Sequence, residues 1–161
     1  RGITSLGPDR EATVAALREI AASLGAHRIA CLGNSGGVFA ALLYGLDLGA
    51  ARVVGLSGPT NLSPGFNTHL RLANLAQRLA AIGRDVEIDL RGSYAGSTAP
   101  PKTLLAFGAE NWDDQIQAGY MAGLPSVTLA PIAGVRDHNI ATALARRGEF
   151  PRILQWLVES G

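Results

Sequence analysis

One short stretch of the sequence restricts the fold more than any other, the five residues Gly33-Asn34-Ser35-Gly36-Gly37. They match the pattern G-x-S-x-G, in which a serine lies at the apex of a sharp turn from a strand into a helix. The flanking segments fit this arrangement, because residues 28–32 are an apolar run typical of a buried strand and residues 37–44 are as apolar as a buried helix. The stretch therefore predicts a serine hydroxyl exposed above a sheet, or alternatively a glycine-rich turn that only packs.

Gly33 and Gly37 are expected to have a steric role in this turn. The backbone of the serine is strained at such an apex, and the strand and the helix approach each other closely. We therefore expect that neither position tolerates a bulky side chain.

The alternation of strand and helix continues along the chain. Further apolar runs typical of buried strands lie at Arg52–Leu56, 102–107 and 126–130. Helical spacing of apolar residues is found at 10–24, 68–82, 115–122, 139–147 and 151–159. Residues 57–66 and 92–101 have loop composition, and 86–90 alternate like an extended edge. The pattern predicts an α/β fold, a parallel sheet with helices on both faces.

The composition indicates a single domain over residues 1–161. Hydrophobic residues make up 47% of the chain, and 14 Lys and Arg balance 13 Asp and Glu to a net charge of +1. This near-neutral balance argues against nucleic acid or an anionic membrane as the main partner. No apolar run approaches the roughly 20 residues that span a bilayer, and no signal peptide is recognisable, so we expect a cytoplasmic protein.

Two cofactor-binding glycine loops are excluded by the residues of the turn. In the dinucleotide fingerprint G-x-G-x-x-G a second glycine would stand where Ser35 is, and the Gly-Lys-Ser/Thr of a phosphate-binding loop occurs nowhere. We therefore expect neither a cofactor nor a metal ion.

A serine nucleophile needs a base, and the chain has three histidines. His27 precedes the strand that leads to Ser35, at its opposite end, and His69 has no acid beside it. His138 follows the last predicted strand, at the sheet edge where ligands gather in open α/β folds. His138 is therefore the predicted base, unless it is an ordinary histidine of a surface loop.

The acid that orients the base is expected after the third strand, between serine and histidine in the chain. Residues 108–114 contain Glu110, Asp113 and Asp114. Glu110 comes early in this loop, whereas the two aspartates stand just before the next helix. We prefer Asp114 and keep Asp113 as the alternative; a role of both in capping the helix is the competing explanation.

With these residues in view, the chain resembles the carboxyl-terminal part of an α/β-hydrolase fold protein. The likeness is carried by L-G-N-S-G-G-V-F-A-A-L-L-Y-G, G-A-A-R-V-V-G-L-S-G-P-T, D-H-N-I and A-R-R-G-E-F-P-R-I-L. These segments are similar to a bacterial subgroup that accompanies surface-polysaccharide or glycoprotein assembly.

The resemblance implies a serine hydrolase acting on a small-molecule or glycan acyl ester or on a thioester. Ser35 would be the nucleophile, His138 the base and Asp114 the orienting acid, with the backbone N–H of Gly36 as one oxyanion donor. The subgroup usually has a bulkier residue where Gly36 stands. Acyl transfer to a sugar hydroxyl and a catalytically silent interaction module are the two alternatives.

Two parts of such a fold are not found in the sequence. The second oxyanion donor normally comes from a loop after an earlier strand, and no segment before Asp9 predicts one. The strand at 28–32 would also lie unpaired at the edge of the sheet. We therefore expect an amino-terminal half, or a partner chain, to cover this strand.

Overall fold

In the part of the chain that the structure describes, four parallel strands lie side by side at the centre of the fold. The computed structural model describes residues 6–70, 73–74, 77 and 89–159. The elements are α1 (Arg10–Ser23), β1 (Ala30–Asn34), α2 (Gly37–Asp47), β2 (Arg52–Leu56), α3 (Leu90–Gly96), β3 (Lys102–Gly108), α4 (Trp112–Tyr120), β4 (Val127–Ile132), α5 (Ile140–Arg146) and α6 (Phe150–Val158). The strand order is β1-β2-β3-β4, and every neighbouring pair is parallel.

The expected parallel sheet between two layers of helices is confirmed. Successive side chains of a strand point to opposite faces, so Val53 belongs to one apolar cluster and Val54 to the other. The first cluster joins the sheet to α2, α3 and α4 and contains Val38, Leu42, Leu90, Tyr94, Leu105, Ala118 and Met121. The second joins it to α5 and α6 and contains Leu56, Leu104, Ile140, Leu144 and Leu157.

The first helix begins and ends as its sequence predicts. The side chain of Asp9 accepts a hydrogen bond from the N–H of Ala12 at 2.8 Å, which caps the start of α1. Gly25 follows the end of the helix with φ = 62°, a conformation that favours glycine. Among the described residues, no helix has the length and apolar character that crossing a bilayer requires.

One predicted loop is wrong in its first half. Residues 92–96 belong to helix α3, which starts at Leu90 because the side chain of Asp89 accepts a hydrogen bond from the N–H of Arg91 at 3.0 Å. Leu90 and Tyr94, four residues apart, are both buried on one side of this helix. The cap and this apolar pair outweigh the glycines that favoured a loop.

The predicted helix at 68–82 lies largely outside the described residues, although the described positions 73, 74 and 77 are helical. Of the extended edge expected at 86–90, residues 86–88 also lie outside. Asp89 forms an isolated antiparallel bridge with Asn61, and Leu90 is already helical. The edge prediction therefore agrees with the extended backbone of Asp89 and is wrong at Leu90.

The turn from β1 into α2 is crowded at Gly33 but open at Gly37. A Cβ atom at Gly33 would overlap the carbonyl oxygen of Gly37, so Gly33 does allow strand and helix to meet. At Gly37 an added Cβ would meet no atom within 4 Å, and the steric role expected for this glycine is wrong. Its place is taken by Gly58, where a Cβ would overlap the carbonyl oxygen of Ser35.

Gly33→Ala is expected to destabilise the fold by about 3 kcal/mol, because backbone atoms of the turn would have to move. Gly37→Ala, the matched control, should leave stability unchanged or raise it by up to about 1 kcal/mol, since alanine favours the helix. Urea unfolding of both variants measures the difference. Equal losses in the two variants would contradict the packing described for this turn.

Among the described residues, strand β1 forms one edge of the sheet and exposes an apolar side chain. Leu32 is 43% exposed there, and β1 contains neither proline nor a charged residue. The opposite edge strand, β4, contains Pro131, which lacks an N–H group and discourages further pairing. Coverage of β1 by an amino-terminal segment or a partner chain stays a prediction.

Leu32→Lys should reduce self-association of the 161-residue chain, because a lysine on an edge strand opposes pairing with a second edge. Sedimentation velocity over a range of concentrations measures the effect. Thr128→Lys, an exposed position on the other edge strand, is the control. A chain that is monomeric at every concentration, or an equal effect of both lysines, would refute the role of β1.

Candidate active site

Ser35 lies at the apex of the turn between β1 and α2. Its N–H donates to the carbonyl of Leu56 at 2.9 Å, and its carbonyl accepts from the N–H of Val38 at 2.9 Å. These bonds hold the residue at φ = 52°, in the left-handed region that residues with a side chain seldom adopt. The strained backbone presents the half-buried Ser35 side chain at the carboxyl edge of the sheet.

His138 reaches Ser35 from the loop that follows β4. Its Nε2 atom is 2.7 Å from Ser35 Oγ, although 103 residues separate the two in the chain. Backbone bonds tie this loop to the loop after β3, from Ala109 N to Ile132 O at 3.0 Å and from Glu110 N to Val135 O at 3.1 Å. The two loops are therefore held together next to the serine.

Asp114 contacts the other nitrogen of the same imidazole. Its Oδ1 and Oδ2 atoms lie 2.9 and 3.1 Å from His138 Nδ1, and the side chain is only 3% exposed. Because a carboxylate oxygen only accepts hydrogen bonds, Nδ1 carries the proton, and Nε2 is left to accept from the Ser35 hydroxyl. The structure thus brings Ser35, His138 and Asp114 into one hydrogen-bonded row.

The start of α4 explains why Asp114 is the aspartate in contact. The side chain of Asn111 accepts from the N–H of Asp114 at 3.1 Å and so caps the helix. Asp113 belongs to the same first turn, but successive helical residues point about 100° apart, and it is Asp114 that faces His138. The N-cap residue of this helix is Asn111, and both aspartates follow it in the first turn.

The other candidates occupy different places. His27 and His69 are exposed, and Glu110 forms an exposed ion pair with Arg136 at 3.1 Å.

Gly36 follows the serine directly as the N-cap residue of α2, where the first N–H groups of a helix have no partner within the helix. Within the described part of the chain, no group of three or more His, Cys, Asp or Glu residues is arranged to hold a metal ion.

Sequence reasoning missed a buried polar cluster beside the site. Thr60, Asn61 and Asn67, from the segment after β2, surround Gln117 of α4, and all four residues are at most 3% exposed. The segment was expected to be an ordinary loop, and polar loop residues are normally exposed. The only signal in the sequence is the concentration of amide and hydroxyl side chains there.

Solved structures of known proteins share this fold. One is MGS-MChE2, an α/β hydrolase enzyme from the metagenome of sediments of the lagoon of Mar Chica, Morocco, with 16% identity, a TM-score of 0.54, and coverage of 89% of this chain and 70% of that one. Another is Est816, an N-acyl homoserine lactone degrading enzyme, with 17% identity, a TM-score of 0.54, and coverage of 91% and 73%. The sequence matches no protein-family model and no curated protein. The fold of this chain is therefore that of the α/β hydrolases.

Proposed function

We propose that this chain is a serine hydrolase that cleaves an ester or thioester through a covalent acyl-enzyme. One observation carries the proposal: Ser35 Oγ is 2.7 Å from His138 Nε2, and His138 Nδ1 is 2.9 Å from Asp114 Oδ1. A hydroxyl within hydrogen-bond reach of a base, which a buried carboxylate in turn orients, is typical of nucleophilic acyl chemistry. The α/β-hydrolase fold of the chain agrees with this function.

The reaction begins when Ser35 Oγ attacks the carbonyl carbon while its proton passes to His138 Nε2. Asp114 stabilises the imidazolium through Nδ1, and the backbone N–H of Gly36 is one donor to the negative carbonyl oxygen. His138 then protonates the leaving alkoxide or thiolate as its bond to the carbonyl carbon breaks. Water, deprotonated by His138, attacks the acyl-enzyme, and the returning proton restores the Ser35 hydroxyl.

Acyl transfer is a variant of the same proposal. The resemblance to the bacterial subgroup linked to surface polysaccharides and glycoproteins predicts a sugar hydroxyl, in place of water, as the group that attacks the acyl-enzyme. His138 would remove the proton of that hydroxyl in the same way, so all three side chains keep their roles. The two variants differ only in product, which mass spectrometry of reactions with and without a sugar acceptor distinguishes.

Ser35→Ala should remove covalent labelling by a fluorophosphonate and lower turnover of a short-chain aryl ester by about 10³-fold or more. His138→Ala should lose a similar amount, because members of a triad act as a unit. The melting temperature of Ser35→Ala should stay within about two degrees of the parent, since one hydroxyl is removed. Absence of labelling in the parent protein would favour a catalytically silent module.

Single substitutions by asparagine test the assignment of the acid. Asp114→Asn keeps the shape of the side chain but removes the charge that stabilises the imidazolium, and kcat should fall on the order of 10³ to 10⁴-fold. Asp113→Asn is the matched control and should retain kcat within about threefold, because Asp114 would still face His138. The reverse order of the two losses would reassign the acid to Asp113.

A further inference from the structure

We propose that Gln117 is a positioning residue for the nucleophile: it fixes the segment after β2 against Ser35 and so keeps the serine aligned with His138. This inference rests on the proposed function, because it assigns a role to a residue whose side chain hydrogen-bonds to Thr60, Asn61 and Asn67 and to none of the three triad side chains. We call residues 57–67 the post-β2 loop. The inference follows from the contacts of Gln117, from those of the loop with Ser35, and from the position of Gln117 on α4.

Gln117 binds the post-β2 loop through every polar group of its side chain. Its Oε1 atom accepts from the N–H groups of Thr60 and Asn61 at 2.8 and 3.1 Å. Its Nε2 atom donates to the carbonyl of Asn61 at 3.2 Å and to Oδ1 of Asn67 at 2.8 Å. The hydroxyl of Thr60 donates to the backbone carbonyl of Gln117 at 2.5 Å. One side chain thus joins the loop to helix α4.

The cluster around Gln117 is buried and internally bonded. Gln117 is 2% exposed and Asn67 is fully buried, and Asn67 Nδ2 also donates to the carbonyls of Asn61 and Ser63 at 3.0 and 2.8 Å. Burying polar groups is unfavourable unless each finds a partner, and apolar residues would fill the same space without that requirement. A polar network in which every group has a partner instead holds its members in one arrangement. The cluster therefore contributes more to the relative position of the loop and the helix than to the stability of the fold.

The near end of the post-β2 loop touches the nucleophile. Gly58 packs so closely against the carbonyl oxygen of Ser35 that a Cβ atom there would overlap it. Only Pro59, whose ring fixes its φ, separates Gly58 from Thr60, so the position of Thr60 restricts that of Gly58. Ser35 has φ = 52°, a conformation that persists only where the surrounding structure holds it. The loop supplies part of that support.

Helix α4 consequently acts on both ends of the hydrogen-bonded row, on Asp114 at one end and on Ser35 at the other. Asp114 and Gln117 are three residues apart and therefore lie on neighbouring positions of one helical face. Asp114 orients His138 directly, whereas Gln117 acts on Ser35 through Thr60 and Gly58. Because both side chains belong to one rigid helix, a shift of α4 moves base and nucleophile together.

Gln117→Met tests the role, because methionine has a similar length but makes none of these hydrogen bonds. We expect the rate constant for fluorophosphonate labelling of Ser35, and kcat for an aryl ester, to fall about tenfold to a hundredfold. KM should stay the same, and so should the midpoint of the pH dependence of labelling, since His138 and Asp114 keep their contact. Circular dichroism and thermal unfolding establish that the variant is folded.

The final extent of labelling separates positioning from a purely structural role. Loss of folded protein lowers the fraction of Ser35 that becomes labelled, whereas misplacement of the serine lowers the rate at which every folded molecule reacts. Gln155→Met, at an exposed position of α6, is the matched control and should label at the parental rate. Thr60→Val removes the hydroxyl's contacts to the backbone carbonyl of Gln117 and to its Oε1 atom, and it should slow labelling about threefold. Its labelling rate is the deciding measurement if Gln117→Met does not fold.

Three results would overturn the inference while leaving the proposed function intact. They are a labelling rate of folded Gln117→Met within twofold of the parent, a lower extent of labelling at an unchanged rate, and a higher KM at unchanged kcat. If Gln117→Met does not fold, an unchanged labelling rate in Thr60→Val has the same meaning. A parent protein in which Ser35 is not labelled at all would instead refute the proposed function, and this inference with it.

Discussion

The parallel register of the four strands determines where the chemistry can lie. Asn34 pairs with Leu56, Leu56 with Ala106, and Ala106 with Ala130. The carboxyl-terminal parts of the four strands therefore lie side by side. Parallel strands all point the same way, and the loops that follow them therefore leave from one edge. Ser35, the post-β2 loop, Asp114 and His138 lie in the segments that follow β1, β2, β3 and β4, respectively. Ser35 and His138 are 103 residues apart in the chain and follow the two outer strands, β1 and β4, yet they meet because both loops leave from this one edge.

Close backbone contacts refine this coarse placement. Gly33 lets the start of α2 approach β1, and Gly58 lets the post-β2 loop lie on the carbonyl of Ser35. Both contacts need a missing side chain, and together they enclose a serine whose backbone is strained. The hydroxyl of Ser35 is thereby directed to His138 by backbone packing, with no need for a long or flexible side chain.

Polar contacts then connect the loops into a unit. The loops after β3 and β4 share backbone hydrogen bonds, while α4 extends from one of them to the post-β2 loop. Helix α4 carries Asp114 in its first turn and Gln117 in its second, so one short helix joins the acid and the polar cluster. A row of three side chains needs accuracy of a fraction of an ångström, which rigid elements and satisfied polar networks provide better than separate loops.

The sequence by itself determined what depends on neighbours along the chain. Hydrophobic periodicity predicted the four strands and most of the helices, and the G-x-S-x-G stretch predicted a serine at a strand-to-helix turn, because these signals arise from local geometry. Only the tertiary structure decided between Asp113 and Asp114 for contact with His138, since adjacent helical residues differ only in direction. It also replaced Gly37 by Gly58 as the second close contact and turned part of a predicted loop into α3. Gln117 and its partners lie about 50 to 57 residues apart in the chain. No local pattern reports such pairings, because they exist only once the sheet has brought distant loops together.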